Sequence, residues 1–148
     1  MAEINIRNKK AWHDYEFLEH FTAGMQLTGT EIKSIRAGKA SLVDAYCFFS
    51  DNELWVKGMH ISEYDFGNLN NHDPKRDRKL LMNRKELRKL AKNVKEKGLT
   101  IIALRIFLAA NGYAKLEIAL ARGKKEYDKR EDLKKKDSKR ELDRMMKR

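Results

Sequence analysis

The amino-acid sequence predicts a mainly β protein, a small closed or partly open β-barrel with flanking helices, followed by a basic C-terminal tail. Short stretches that alternate apolar and polar residues are separated by turn-forming residues, which is typical of antiparallel strands. No βαβ rhythm indicates a parallel sheet. Residues 123–148 hold 12 Lys or Arg and 7 Asp or Glu but few large apolar side chains. We therefore predict a barrel domain over residues 1–122 and a tail over residues 123–148 that is disordered when free.

Isoleucines, aromatic residues and turn formers define the elements of the N-terminal half. Ile32 and Ile35 share one face of a short helix, and Gly38 favours the end of that helix. The turn formers at 50–52 separate two apolar runs, as in a hairpin. The predicted elements are a strand over residues 14–21 that continues through 25–27, a helix over 30–36, a hairpin of 45–49 with 54–57, and a loop over 60–73 closed by Pro74.

The C-terminal half contains the clearest helix and a second hairpin. Asn83 can cap a helix, Glu86 can complete a capping box, and Gly98 suits the position after the last turn. Asn111 and Gly112 together predict a tight hairpin turn. The predicted elements are a helix over 83–97 with the apolar stripe Leu87, Leu90, Ala91 and Val94, a strand over 99–108 with apolar residues at even positions, and a strand over 113–121 with Leu116, Ile118 and Leu120 directed inward.

The composition indicates a polyanionic partner. With a formal net charge of +11, 37% charged residues and a pI near 9.7, the chain favours RNA, DNA or an anionic membrane surface. No apolar run approaches the ~18 residues of a membrane span, and the N-terminus lacks the apolar segment of a secretory signal. The only cysteine, Cys47, lies in an apolar run, which predicts a buried, inert thiol and a reducing cytoplasm.

The charge is unevenly distributed along the chain. Residues 1–74 carry 7 Lys or Arg against 11 Asp or Glu, whereas residues 75–97 carry 11 against 3. A surface built only for solubility would mix the two signs. We therefore favour a basic binding face over an ordinary solvated helix surface.

The sequence offers binding residues but no catalytic constellation. The four histidines lack metal-ligand spacing, and phosphate-loop, dinucleotide and nucleophile-elbow motifs do not occur, so we expect no enzyme, metal or other cofactor. The run 75–79 suits phosphate contact, with a solvated charge run as an equal alternative. His72 and Asn71 fit either base recognition or an ordinary loop-capping role. Glu31, which shares a helix side with Ser34, fits base recognition, orientation of a cation, or a simple acid at a helix N-terminus.

Four blocks of sequence, in this order, carry a specific resemblance. They are NKKAWHDY at 8–15, AGMQLTGTEIKSIRAGKASLVDA at 23–45, GNLNNHDPKRDRKLL at 67–81 and GKKEYDKR at 123–130. Each block alone would be a weak signal. Together they closely resemble the small protein B family, SmpB, nearly end to end and without large gaps.

The resemblance implies a six-stranded oligonucleotide-binding-like barrel with about three helices, and a role in bacterial trans-translation. Members of the family bind the tRNA-like domain of transfer-messenger RNA and bring it to ribosomes stalled on messages that lack a stop codon. The nascent chain is then tagged for proteolysis and the ribosome is released. The tail is implied to occupy the decoding centre and the empty messenger channel, where we expect it to be helical. The alternative is a general ribosomal or RNA-binding protein with a basic arm.

The resemblance also assigns candidate residues and partners. The RNA-facing candidates are His13, Glu31, Lys33, Ser34, Asn71, His72, Arg76, Arg78, Lys79, Lys124 and Lys125. The tail candidates are Tyr127, Asp128, Lys129 and Arg130 for the decoding centre, with Leu142, Met145 and Met146 further along the channel. Some members carry His at the position of Tyr127, whose ring can stack on a base but lacks a positive charge. The implied partners of this cytoplasmic monomer are transfer-messenger RNA and the ribosome, with elongation factor Tu reached through the shared RNA.

Overall fold

The structure, a computed structural model, describes residues 4–66 and 71–123. Within these ranges the chain forms nine strands and three helices. The strands are β1 (Asn5–Arg7), β2 (Tyr15–Met25), β3 (Ala40–Ser41), β4 (Tyr46–Ser50), β5 (Glu53–Lys57), β6 (His60–Ile61), β7 (Arg78–Leu81), β8 (Thr100–Leu108) and β9 (Ala114–Gly123). The helices are α1 (Lys9–Asp14), α2 (Gly29–Arg36) and α3 (Arg84–Lys97).

Six antiparallel strands close into a barrel. The larger sheet has the order β1-β8-β4-β5-β7-β2-β9, and a further pairing of β8 with β9 completes the ring. The additional strand β1 pairs with residues 105–107 of β8, beyond residues 101–102, which pair with β4. Closure removes the free edges that an open sheet would expose. The mainly β barrel predicted from the sequence is confirmed. The barrel is closed rather than partly open.

The barrel interior is apolar and well covered. Leu54, Val56, Leu116 and Ile118 are fully buried there, and α3 contributes Leu90. Each fully buried aliphatic side chain stabilises the fold by about 1.5–3 kcal/mol relative to an exposed one. The barrel is therefore a rigid support for the groups on its surface.

A second, smaller apolar cluster lies outside the barrel wall, beneath α1. It consists of Ala11, Ile102, Leu104, Ala119 and Ala121. The register of β8 against β9 shifts between residues 103 and 105, a local irregularity that reverses which side chains face inward. Ile102 and Leu104 consequently face α1, whereas Ile106 belongs to the main core. The apolar even positions predicted for this strand thus serve two different cores.

The turn of the hairpin and the N-cap and terminal glycine of the long helix are confirmed, and of the predicted capping box the structure shows the Asn83 half. Asp51 and Asn52 have φ angles of 53° and 64°, as a tight turn between β4 and β5 requires. The amide of Glu86 donates to Asn83 Oδ1 at 2.9 Å, and Gly98 adopts the left-handed conformation with φ 65°. Glycine, which has no β-carbon, adopts that conformation at the least cost, which explains its position after α3.

Three local predictions differ from the structure. The sequence pattern does not predict α1, whose six residues are too few to display a helical period. The expected loop over 60–73 contains β6, which pairs with β3 in a separate two-stranded sheet. The strand predicted to continue through residue 27 ends at Met25.

Two predictions from composition can be compared with the fold. Cys47 is buried, and burial raises the pKa of its thiol, in agreement with an inert side chain. Across residues 4–66 and 71–123, none of the helices has both the length and the apolar character needed to cross a bilayer. The predicted tail lies outside the described residues from position 124 onward.

Candidate nucleic-acid interface

The Glu31 carboxylate, in the first turn of α2, holds two arginines. Its Oε1 accepts a hydrogen bond from Arg76 Nη2 at 2.6 Å, and its Oε2 accepts from Arg76 Nε at 3.1 Å. Arg78 Nε donates to the same Oε2 at 2.8 Å. Because Arg76 binds both oxygens, the pair has the bidentate geometry that is strongest between guanidinium and carboxylate. We call these three residues the Glu31 cluster.

Local sequence explains how the cluster assembles. Thr28 caps α2, and a complete capping box forms because the Thr28 amide donates to Glu31 Oε1 at 2.9 Å. This turns the carboxylate back toward the start of the helix. Arg76 follows the turn at residues 74–75 and Arg78 begins β7, and from these two positions both guanidiniums reach the Glu31 carboxylate.

Arg78 is an internal brace. Its side chain is fully buried, and it donates from Nη1 to the Met59 carbonyl at 2.7 Å and from Nη2 to the Pro74 carbonyl at 3.2 Å. The guanidinium is enclosed by protein groups and ties the loop between β6 and β7 to α2. Direct RNA contact by Arg78 stays a prediction, and its burial favours a bracing role.

Arg76 is the member of the cluster that remains open to solvent. Its side chain is 36% exposed although it binds Glu31 on one side and donates to the Gln26 carbonyl at 3.3 Å on another. The bond to Glu31 raises the pKa of this arginine. A guanidinium held in one orientation loses little entropy when it binds a phosphate. Arg76 is thus a preorganised surface cation.

The charge of Glu31 is strongly favoured in the folded protein. Burial by itself disfavours the ionised form, but the hydrogen bonds from Arg76, the Thr28 amide and Arg78 outweigh burial and lower the pKa of Glu31 from 4.5 to about 2. The carboxylate is therefore ionised at every physiological pH. It serves as a fixed anionic anchor rather than as a group that exchanges protons.

We expect the stability of the protein to depend on pH through Glu31. A lowered folded-state pKa contributes stability that is present above pH 4.5 and is lost as the pH falls toward 2. A shift of this size corresponds to roughly 3 kcal/mol of unfolding free energy. Urea unfolding between pH 6 and pH 2 would measure the loss. The Glu31→Gln variant should show a shallower decline over the same range, and an identical decline would contradict the assignment.

His72 and Asn71 organise the neighbouring loop. The His72 ring is buried, and its Nε2 donates to the Ile61 carbonyl at 2.9 Å while its Nδ1 shares a hydrogen bond of 2.9 Å with Thr30 Oγ1. The Asn71 amide binds both backbone groups of Tyr64, at 2.9 Å and 2.7 Å. Of the two roles open for these residues, the structure supports loop capping, since their polar atoms are engaged within the protein.

The other candidates divide between surface and interior. The Lys33 ammonium is exposed and lies 5.5 Å from the centroid of the Tyr64 ring, and Lys79 forms a surface ion pair of 3.6 Å with Glu53. Ser34 is buried, and its Oγ has no hydrogen-bond partner within the described part of the chain. Glu31 and Ser34 are thus both buried within the protein, and their contact with RNA stays a prediction. Lys124, Lys125 and the tail candidates from Tyr127 to Met146 lie outside the described residues.

His13 stands apart from the Glu31 cluster. It lies in the last turn of α1, just before β2, whereas α2 follows the end of β2, and a strand of that length spans about 33 Å. The His13 ring is exposed and lies 3.0 Å from a carboxylate oxygen of Asp14. The cluster candidates are brought together by the fold, but His13 belongs to the opposite end of the barrel wall.

Two threonines of the site are missed by the sequence reasoning. Thr28 caps α2 and Thr30 fixes the His72 ring. The spacing Thr28–Glu31 is the sequence signature of a capping box and is the signal that identifies Thr28. No comparable local signal connects Thr30 with His72, because 42 residues separate the two.

Comparison with known proteins assigns this arrangement to a family. The model of the family described as "SmpB protein" matches residues 5–148. The chain belongs to the SmpB protein family. The family assignment covers the barrel, the Glu31 cluster and the tail together, in agreement with the resemblance noted from the four sequence blocks.

Individual relatives agree with this assignment over nearly the whole chain. The SsrA-binding protein of Phocaeicola vulgatus is 63% identical over 145 residues, covering 98% of this chain and 97% of the relative. That of Cytophaga hutchinsonii is 60% identical over 145 residues, covering 98% and 95%. A solved chain from "tmRNA-SmpB: a journey to the center of the bacterial ribosome" is 45% identical, with a TM-score of 0.69, and covers 82% of this chain and 85% of that one.

Proposed function

We propose that this chain is the RNA-binding adaptor of bacterial trans-translation. It binds the tRNA-like domain of transfer-messenger RNA and delivers that RNA to stalled ribosomes, so that the nascent chain is tagged and the ribosome released. One observation carries the proposal, namely SmpB family membership along almost the full chain, with SsrA-binding proteins at up to 63% identity among the relatives. The likeness to a chain solved in a study of tmRNA, SmpB and the bacterial ribosome supports the same partners.

The barrel surface around the Glu31 cluster is proposed to hold the RNA. Arg76 offers an oriented guanidinium, Lys33 adds an exposed cation, and Lys79 adds a half-buried cation that is paired with Glu53. Contacts of this kind to phosphates fix the position of a protein on RNA without reading sequence. The folded shape of the tRNA-like domain then supplies the selectivity, as is usual for structured RNA.

Glu31 and Arg78 are proposed to act through other residues. Both side chains are fully buried, so their contribution is to hold Arg76 and the loop between β6 and β7 in place. A bound phosphate would meet a guanidinium whose charge is partly balanced by Glu31. The Glu31 carboxylate therefore weakens the attraction between Arg76 and a phosphate but holds the guanidinium in a fixed orientation.

The tail is proposed to work in the ribosome rather than on the free RNA. Residues 131–148 contain no Gly or Pro and are rich in Lys, Arg, Glu and Leu, which favour a helix once phosphates neutralise the cations. Tyr127, Asp128, Lys129 and Arg130 would meet the decoding centre, with Leu142, Met145 and Met146 forming one helix face in the messenger channel. Elongation factor Tu would be reached through the shared RNA.

The proposal is tested by competition binding. The purified chain should bind transfer-messenger RNA at near-physiological salt, and neither ordinary tRNA nor a length-matched duplex should displace it at equal concentration. A tagging assay with stalled ribosomes should then depend on the protein. Equal and strongly salt-sensitive binding to all three RNAs would favour the alternative, a general RNA-binding protein with a basic arm.

A pair of single substitutions separates the oriented cation from general charge. Arg76→Lys keeps the positive charge but loses the bidentate fork, and we expect weaker binding of transfer-messenger RNA. Lys9→Gln removes an exposed cation on α1, which precedes β2 and lies at the other end of that strand from the cluster, and should change the affinity little. Filter-binding titrations of both variants check the difference, and equal effects would remove the orienting role from Arg76.

A further inference from the structure

Helix α3 carries a continuous line of exposed cations that the Glu31 cluster does not include. Arg84, Arg88, Lys92 and Lys95 follow one another at steps of four, four and three residues, so they lie along one side of the helix. All four are exposed. The line extends for about 16 Å along the helix axis. We call these four residues the α3 cation stripe.

The positive charges of the stripe are not balanced by ion pairs with carboxylates of the described residues. Lys89, beside the stripe, forms an ion pair of 2.6 Å with Glu19 of β2. Within the described ranges, no stripe residue has a carboxylate within ion-pair distance. Arg84 with Arg88 and Arg88 with Lys92 are like charges one turn apart, which destabilises a helix in isolation. A polyanion lying along this face would remove that repulsion.

The inner face of α3 makes the stripe a rigid feature. Leu90 is fully buried in the barrel core, and Leu87 and Val94 pack against the same core. Asn83 and Gly98 cap the two ends of the helix. The cations are therefore presented on a fixed backbone rather than on a flexible segment.

The stripe adjoins the surface proposed for RNA. Strand β7 begins at Arg78 of the Glu31 cluster and ends two residues before the Asn83 cap of α3, and a strand of four residues spans about 13 Å. Residues 75–97, which include the Arg76 region and all of α3, carry 11 Lys or Arg against 3 Asp or Glu.

We propose that the α3 cation stripe is a second contact surface for the phosphate backbone of the same transfer-messenger RNA. This inference rests on the proposed function. The stripe offers charge without aromatic platforms, so its contacts strengthen binding and set orientation but read no bases. Its contribution is therefore electrostatic and sensitive to salt.

The test removes two stripe charges and compares them with two matched charges elsewhere. In the full chain, Arg88→Gln with Lys92→Gln should reduce the slope of log affinity for transfer-messenger RNA against log salt by about 2, roughly 1 for each lost phosphate contact. The control, Arg7→Gln with Lys9→Gln, removes the same charge from exposed positions in β1 and α1, outside residues 75–97, and should leave the slope nearly unchanged. The thermal midpoint of the stripe variant should not fall, because two like-charge pairs are relieved.

The remaining outcomes of this test would overturn either the stripe proposal or the proposed function. An unchanged slope in the stripe variant, or an equal loss in both variants, would overturn the stripe as an RNA contact while the adaptor function stands. Unchanged binding to the RNA with weaker association of the complex with ribosomes would assign the face to ribosomal RNA and also overturn the proposal. Failure of the unaltered chain to prefer transfer-messenger RNA would instead refute the proposed function itself.

Discussion

Replacing Glu31 by Gln is expected to lower the free energy of unfolding by about 3–5 kcal/mol, the cost of removing one partner from a buried ion pair. The amide keeps nearly the same volume, so the loss would arise from charge rather than from a cavity. Arg78 would remain fully buried without a carboxylate, and Arg76 would lose both of its bonds to one. For a domain of this size the thermal midpoint should fall by about 10 °C or more.

Thermal and urea unfolding of the full chain measure this effect. Glu53→Gln is the matched control, since it removes a carboxylate of a surface ion pair with Lys79 and should cost at most about 1 kcal/mol. RNA affinity should fall with Glu31→Gln even where the variant is fully folded, because Arg76 is no longer oriented. A variant as stable as the unaltered protein would show that the two arginines are held by their carbonyl partners alone.

The combined substitution of Asp128, Lys129 and Arg130 by Ala is expected to abolish tagging of nascent chains while leaving binding to the isolated RNA nearly intact. The reason is a division of labour between the barrel, with its oriented cations, and the tail, which is proposed to act in the decoding centre. Within the described residues the barrel is closed by β9, which ends at Gly123, and the three substituted residues lie outside the described part of the chain. We expect the thermal midpoint of the variant to stay close to that of the unaltered chain.

Tagging of a stalled translation product, with RNA affinity measured in parallel, checks this separation. A control variant with Lys134, Lys135 and Asp137 replaced by Ala makes the same change in net charge further along the tail and should retain more tagging. A large loss of RNA affinity in the first variant would refute the division of labour. Full tagging in that variant would remove these three residues from the decoding step.

Features specified by a few neighbouring residues were predictable from the sequence. Asn83 and Gly98 bound α3 as expected, and the turn formers between β4 and β5 place the hairpin correctly. These signals act through local backbone preferences and hydrogen bonds, which do not depend on the rest of the fold. The alternation of Leu116, Ile118 and Leu120 likewise predicted the inward face of β9.

Features that depend on distant packing were not predictable in the same way. Helix α1 is stabilised by Asn8, whose side chain caps the helix and also donates to the Ala103 carbonyl at 2.9 Å. The division of the β8 side chains between two cores follows from its register shift against β9. Neither partner strand nor register is visible in the local pattern of a short segment.

The sequence by itself determined the mainly β fold class, the basic surface over residues 75–97 and, through four ordered motifs, the family to which the chain belongs. Only the tertiary structure decided which of the charged motif residues face solvent. Glu31 and Arg78 are 47 positions apart, yet they meet in the interior, while Arg76, two residues from Arg78, remains at the surface. The physical reason is that burial and ion pairing are set by the approach of distant segments, whereas sequence spacing specifies only the side on which each residue leaves its own strand or helix.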